Sequence, residues 1–229
     1  MQKNDEKHTK KRFWKILPVT LCFCALFSLS ACNEELDYFE YASEVRSNLL
    51  LAQTDEFYLR VFSVEKEQPY LADGIKRETS SRTEIRLNTP TGDKECSVSF
   101  SVDGNGYGGD MSFDIVKAEY YYSCTLDTAS LSTLACTVTY GEQTVVLEAQ
   151  SVLTEHTLSP REALQKLYDS QTGVFTALTD EYGFAGEIQL RLIYEAQAYY
   201  YIGVIDRNGR TTAYLMNGET GKILAKRES

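Results

Sequence analysis

The residue types that most often do chemistry are few in this chain and scattered. Of its two histidines, His156 lies in a polar stretch, "TEHT", and reads as a solvated linker residue. A zinc centre needs several histidines, or cysteines at CxxC spacing, and neither pattern occurs. There is no GxSxG to supply a nucleophile elbow, and no glycine-rich loop that follows a strand and opens a helix to cradle phosphate. The segment "VDGNGYGGDMSFD" offers Asp103, Asn105, Asp110 and Asp114 as oxygen ligands. It lacks the D-x-D-x-D-G order and the closing glutamate of a calcium loop, so its glycines read as a strand connection. No catalytic residue, metal ligand or cofactor site is predicted, and no pair of carboxylates stands out as an acid/base couple.

Three cysteines, Cys96, Cys124 and Cys136, fall at alternating apolar positions of strand-like segments. Buried thiols there behave as small hydrophobes. Cys124 and Cys136 also straddle the loop "DTASLS" symmetrically, as hairpin partners that bridge would, so core thiols and one Cys124–Cys136 disulfide both remain open. Two tyrosine triplets, Tyr120 to Tyr122 and Tyr199 to Tyr201, lie in predicted strands. Alternation puts at least one ring of each on the face away from the core, and exposed tyrosines on a rigid sheet suit a peptide or glycan contact.

The stretch from Ile16 to Ala31 carries no charge and follows Lys3, Lys7, Lys10, Lys11, Arg12 and Lys15. It is shorter than the roughly 20 apolar residues that a membrane-crossing helix needs, and a basic region before an apolar run has the form of an export leader. Its end, "LSAC" (Leu29, Ser30, Ala31, Cys32), resembles the lipobox of bacterial lipoproteins. The resemblance implies cleavage between Ala31 and Cys32, a thioether-linked diacylglycerol on Cys32, and a protein attached by lipid to the extracytoplasmic side of a bacterial membrane. Each buried methylene adds about 0.8 kcal/mol of membrane affinity, so two chains on one residue hold firmly.

The first 31 residues hold six basic and two acidic side chains, so the remainder carries 17 basic against 31 acidic, a net charge of −14. Such a surface repels nucleic acid and anionic lipid. The expected partners are the membrane, through the lipid, and an extracellular protein, peptide or glycan.

The elements that follow divide the chain into residues 1–31, the leader; 32–45, a lipidated end and acidic tether; 46–155; and 156–229. In the tether "NEELDYFEYASE", Leu36, Tyr38, Phe39 and Tyr41 are placed to dock on the first domain. Between 46 and 155 short segments such as "EFYLRVFSV", "ECSVSFSV" and "LACTVTY" alternate apolar and polar residues and are separated by turn chemistry. They predict an immunoglobulin-like β-sandwich. From 156 the period changes: Ser159 as N-cap, Pro160 and Glu162 make a helix start, and Ala163, Leu164, Leu167 and Tyr168 an apolar stripe. A meander follows, with a hairpin at Asn208-Gly209.

The helix and meander, ending in "YLMNGETGKIL" (Tyr214, Asn217, Gly218, Glu219, Thr220, Gly221, Ile223, Leu224), resemble the PepSY and wider cystatin-like group. The resemblance implies a second, α+β domain, generally non-catalytic, with some relatives that restrain proteases. The expected function is therefore a non-catalytic, lipid-anchored binding or scaffolding module of a bacterial envelope. The alternatives are a protease inhibitor acting through residues 156–229 and a carboxylate-based hydrolase.

Overall fold

The computed structural model describes residues 36–229 except 72 and 74. The leader and the Ala31–Cys32 site lie outside the described residues. After a 3-10 turn at Tyr38–Tyr41 come β1 (Ala42–Gln53), β2 (Tyr58–Glu67), β3 (Thr79–Asn88), β4 (Cys96–Val102), β5 (Asn105–Asp110), β6 (Ser112–Asp114), β7 (Glu119–Cys124), β8 (Thr133–Tyr140) and β9 (Gln143–Ser151). Then follow helix α1 (Pro160–Thr176), a short pair β10 (Thr179–Asp180) and β11 (Gly183–Phe184), and β12 (Gly186–Glu195), β13 (Gln197–Asp206), β14 (Thr211–Asn217) and β15 (Ile223–Glu228).

Thirteen of these strands form one continuous sheet. Its junction is β1. Over its first residues β1 lies between β2, antiparallel (Glu44 opposite Lys66), and β12, parallel (Val45 opposite Leu190). A bulge follows between Arg46 and Asn48. Beyond it β1 keeps β2 and exchanges β12 for β9, with Leu50 opposite Ser151. A bulge locally kinks and twists a strand, which suits the place where neighbours change. Asn48 anchors the point: its amide donates to the carbonyls of Ala129 and Leu131, and its Oδ1 accepts from Ser151 Oγ at 2.7 Å.

Three arms leave this junction. The arms β2-β3-β7-β6 and β9-β8-β4-β5 curl into a near-barrel around one core that includes Leu50, Val61, Ile85, Val98, Phe100, Cys136 and Leu147. Alternation along β4 is strict, with Cys96, Val98, Phe100 and Val102 buried. Gly108 on β5 has to be glycine, because a Cβ there would lie 2.3 Å from the Val98 carbonyl oxygen.

The third arm, β12-β13-β14-β15, carries α1 on one face. Ser159 and Glu162 form a full capping box, and Ala163, Leu164, Leu167 and Phe175 turn inward. The even-numbered side chains Leu190, Leu192, Tyr200, Ile202, Tyr214 and Met216 are buried, and Tyr200 donates to the Leu158 carbonyl at 2.7 Å.

This architecture corrects the expected fold class. The described chain is not an immunoglobulin-like sandwich followed by a separate cystatin-like α+β domain. Helix and meander do form, but the meander's sheet continues through β12 into β1, so the PepSY resemblance is overturned along with the two-domain reading. Asp37–Ser229 is a single compact unit. The tether residues also dock differently from expectation. Tyr38 packs on Tyr168, Phe175 and Phe184 with ring centroids 4.9, 5.0 and 5.3 Å away, which sews the N-terminal turn to the helix. Alternation along each strand was readable, but which strand lies beside which depends on backbone groups that every residue carries alike.

A shared junction strand predicts that the arms unfold together. Chemical denaturation followed by far-UV circular dichroism and by tyrosine fluorescence is expected to give one coincident transition. Two separated transitions would show that residues 46–155 and 156–229 fold independently.

Candidate functional site

On the face of the sheet away from the near-barrel core and from α1, β12, β1, β2, β3 and β7 contribute charged side chains interspersed with aromatic and polar ones. Arg191 comes from β12, Glu44 and Arg46 from β1, Arg60 and Lys66 from β2, Arg82, Glu84 and Arg86 from β3, and Glu119 from β7. The period-2 alternation of a strand puts Arg82, Glu84 and Arg86 on one side of β3 while Thr83, Ile85 and Leu87 are buried on the other. Cross-strand pairing then aligns the rows, with Arg46 opposite Arg191, Arg60 opposite Arg86 and Arg86 opposite Tyr121.

Carboxylates pin the ends of this array. Glu44, 1 % exposed, accepts from Arg46 Nε at 2.8 Å and from Arg191 at 2.7 Å, with Lys66 Nζ at 4.0 Å. Burial alone would raise its pKa, but the Arg191 hydrogen bond and the charges of Arg46, Arg191 and Lys66 outweigh that and hold it below the ordinary value. Glu119 accepts from Arg60 at 2.5 Å and from Arg86 at 2.7 Å, tying β2 and β3 to β7. Glu84 takes the second arm of Arg86 at 3.4 Å.

Aromatic rings fill the spaces between. Phe62 lies between the Arg46 and Arg86 guanidinium groups, 5.1 and 5.6 Å from its centroid. Arg60 stacks on Tyr58, Arg86 also on Tyr121, Arg191 on Tyr201 and Lys66 on Tyr70. Each such contact adds about 0.5–1 kcal/mol when exposed and more when dry. Burial, and then the charge of Glu44, push the Tyr70 phenol up to about 12, so it remains a neutral hydroxyl that the Gln189 amide donates to.

Among the described residues, five buried side-chain atoms have no hydrogen-bond partner: Glu67 Oε2 and the Nε atoms of Arg60, Arg82, Arg86 and Arg191. Three of the four arginines lie over rings, which compensates them in part. Among the described residues the Arg82 guanidinium has no ring and no ion pair, its Nε has no acceptor, and its charge acts on the Cys124 thiol. A cavity of about 350 Å³ opens elsewhere on the face, lined by residues that include Lys66, Glu84, Arg86, Asp114, Lys117 and Glu119, cations and carboxylates in equal number.

The residues singled out from sequence sit elsewhere. Cys96, Cys124 and Cys136 are all free. Cys124 is on β7, paired with β3, whereas Cys136 is on β8 between β4 and β9. The hairpin that would join Cys124 to Cys136 is not formed, because β7 and β8 belong to different arms. His156 is exposed, with Glu155 as its ionic neighbour at 3.5 Å. Asp103 is in the β4–β5 turn with φ 52°, and Asp114 is held by the Val116 and Lys117 amides. Among the described residues no group of His, Cys, Asp and Glu has a metal-holding arrangement, and no helix is long and apolar enough to cross a membrane. In the triplets, Tyr120 and Tyr200 are buried, while Tyr121 and Tyr201 lie on the charged face, each under a guanidinium.

Sequence reasoning missed the arginine array. Its signal was present as charge at period 2 in "EVR" and "SRTEIRLN". What joins the rows, such as Glu44 to Arg191 across 147 positions, is tertiary. Comparison with protein-family models, with curated proteins and with solved structures finds no match for this chain.

Glu44→Gln is expected to destabilise the fold by about 1–3 kcal/mol at neutral pH, since it leaves the partly buried Arg46, Arg191 and Lys66 without their shared carboxylate. Glu44 has a folded pKa below its ordinary 4.5, so its contribution is complete above that value and is lost as pH falls through the folded one. Wild type should therefore lose more stability than the variant between about pH 5 and about pH 3, as read by denaturant midpoints. Equal pH dependence would remove Glu44 from this role.

Burial pushes the Cys96 and Cys136 thiols up to about 11 and about 12, while Cys124 is only half-buried. Iodoacetamide followed by peptide mass spectrometry should label Cys124 first in the native protein, and Cys96 and Cys136 only after denaturation. Protection of Cys124 and Cys136 together, relieved by a reductant, would instead indicate a disulfide.

Proposed function

We propose that this chain is a non-catalytic binding module held at a bacterial envelope membrane by lipid on Cys32, with the arginine–aromatic face of its sheet as the binding surface. The observation that carries the reading is the gathering of Arg46, Arg60, Lys66, Arg82, Arg86 and Arg191 onto one face of a chain whose net charge is −10. Scattered surface charge would follow the acidic average. A cationic face on an acidic body raises the local concentration of anionic partners and repels cationic ones.

The chemistry of the face favours binding over catalysis. Glu44, Glu84 and Glu119 are each tied to a guanidinium, and Glu44, held in its charged form by Arg191 and Arg46, is a poor proton donor near neutral pH. The stacked arginines are pre-organised by rings and carboxylates, so little freedom is lost when a ligand docks. No observation favours a carboxylate-based hydrolase, or a protease inhibitor built on residues 156–229. The extracytoplasmic location rests on "LSAC" after its basic and apolar run.

Two variants of the full chain test this reading in its own envelope. Cys32→Ser should move the protein from the membrane to the soluble fraction. Arg82→Glu, checked for an unchanged melting temperature, should fail to retain an envelope component that wild type retains in a detergent pull-down. Equal retention by both proteins would mean that the surface lies elsewhere.

A further inference from the structure

We infer that the thiol of Cys96 and the thioether of Met111 form a binding site for a soft monovalent metal ion, Cu(I), where β4 meets the end of β5. The site belongs to the arm β9-β8-β4-β5, apart from the charged face, and adds a second binding activity to the one proposed above. Its first support is the placement of the two sulfurs. Cys96 Sγ and Met111 Sδ are 3.7 Å apart. With thiolate–metal bonds of about 2.3 Å, one ion can bridge two sulfurs up to about 4.6 Å apart. The pair can therefore hold an ion without moving apart or closing up.

The second support is that the backbone sets this spacing. Cys96 opens β4 and Met111 follows the last residue of β5. Ser97 pairs with Asp110, and one step further along the ladder the Met111 amide donates to the Cys96 carbonyl at 2.8 Å. Both side chains are buried, 5 % and 7 % exposed, so packing fixes their rotamers, as a pre-organised ligand pair requires.

The third support is access and charge. A cavity of about 340 Å³ reaches the pair, lined by both residues together with Glu95, Asp110 and Thr139. The charged residues of that lining, Glu95 and Asp110, are both carboxylates, which raises the local concentration of cations.

Donor chemistry then chooses the ion. Thiolate and thioether sulfur are soft and select Cu(I), whereas calcium and magnesium take oxygen ligands. A cysteine with a methionine is also a different donor set from the groups of His, Cys, Asp and Glu excluded above. Burial pushes the Cys96 thiol up to about 11, so at neutral pH it keeps its proton against any ion that bonds weakly to sulfur. As the sulfur–copper bond forms, the S–H bond breaks and the proton passes to solvent; neither copper nor sulfur changes oxidation state. Two protein donors leave room for a further ligand from the cavity, which suits capture and release better than a closed structural site.

The test is a Cu(I) titration of the full chain in detergent, without oxygen, in competition with a chromophoric Cu(I) chelator. It is run on Cys124→Ser, which removes the half-buried thiol as a rival donor. Adding Cys96→Ser to that protein should abolish one equivalent of Cu(I) uptake. Adding Met111→Leu, a change of similar volume that cores tolerate, should weaken that equivalent at least about tenfold with an unchanged melting temperature. X-ray absorption of the loaded Cys124→Ser protein should show two sulfurs at about 2.3 Å from copper, a readout that stands even if Cys96→Ser fails to fold. Equal uptake with and without Cys96, undiminished affinity in Met111→Leu, or a copper shell without two sulfurs would each overturn the inference. None of these outcomes bears on the Arg82→Glu pull-down, so the two sites stand or fall separately.

Discussion

A β-strand has hydrogen-bonding groups along two edges only, yet β1 serves three neighbours. It does so by dividing its length: one edge faces β2 throughout, while the other faces β12 before the bulge and β9 after it. The joining of the three arms into one sheet depends on that exchange. Without β12 on β1, the helix-bearing arm would be a detached unit; without β9 on β1, the near-barrel would have no closing arm at its first strand. The parallel register of β1 against β12 also matters, because the two strands come from opposite ends of the described chain and no hairpin could have joined them.

The same exchange creates the charged face. Carrying the sheet from β12 through β1 to β2 brings Arg191 beside Glu44, and Glu44 beside Lys66, within a region from which water is largely excluded. Taking a carboxylate out of water is costly, and its attraction to buried cations offsets that cost only when the geometry is close. Glu44 and Glu119 meet that condition with two guanidinium partners each. Arg46, Arg60, Arg86 and Arg191 each have a ring as well as a carboxylate, whereas among the described residues the Arg82 guanidinium has neither.

Much of the local structure could be read in advance. The Cys96-Val98-Phe100-Val102 alternation and the Ser159-Pro160-Glu162 helix start both appear as their chemistry implies, since strand pleat and helix capping act over a few residues. The thiols of Cys124 and Cys136 show where that reading ends. Their symmetric placement about one loop suggested a hairpin, but β7 pairs with β3 and β8 with β4 and β9, so local symmetry did not become strand pairing. The array of arginines was invisible for the same reason: "TEIRL" states that Glu84 and Arg86 share a side of a strand, not what lies across from them.

By itself the sequence determined the kind and the buried side of elements such as β4 and the start of α1, because alternation and capping are properties of near neighbours, while β1 began inside the expected tether and β5 was read as a connection. It also determined the chain's acidic balance, which no fold can change. Only the tertiary structure decided that one sheet replaces two domains and that scattered arginines become a single face. Backbone hydrogen bonds are chemically the same at every residue, so the choice of neighbour comes from the summed burial and charge pairing of whole strands.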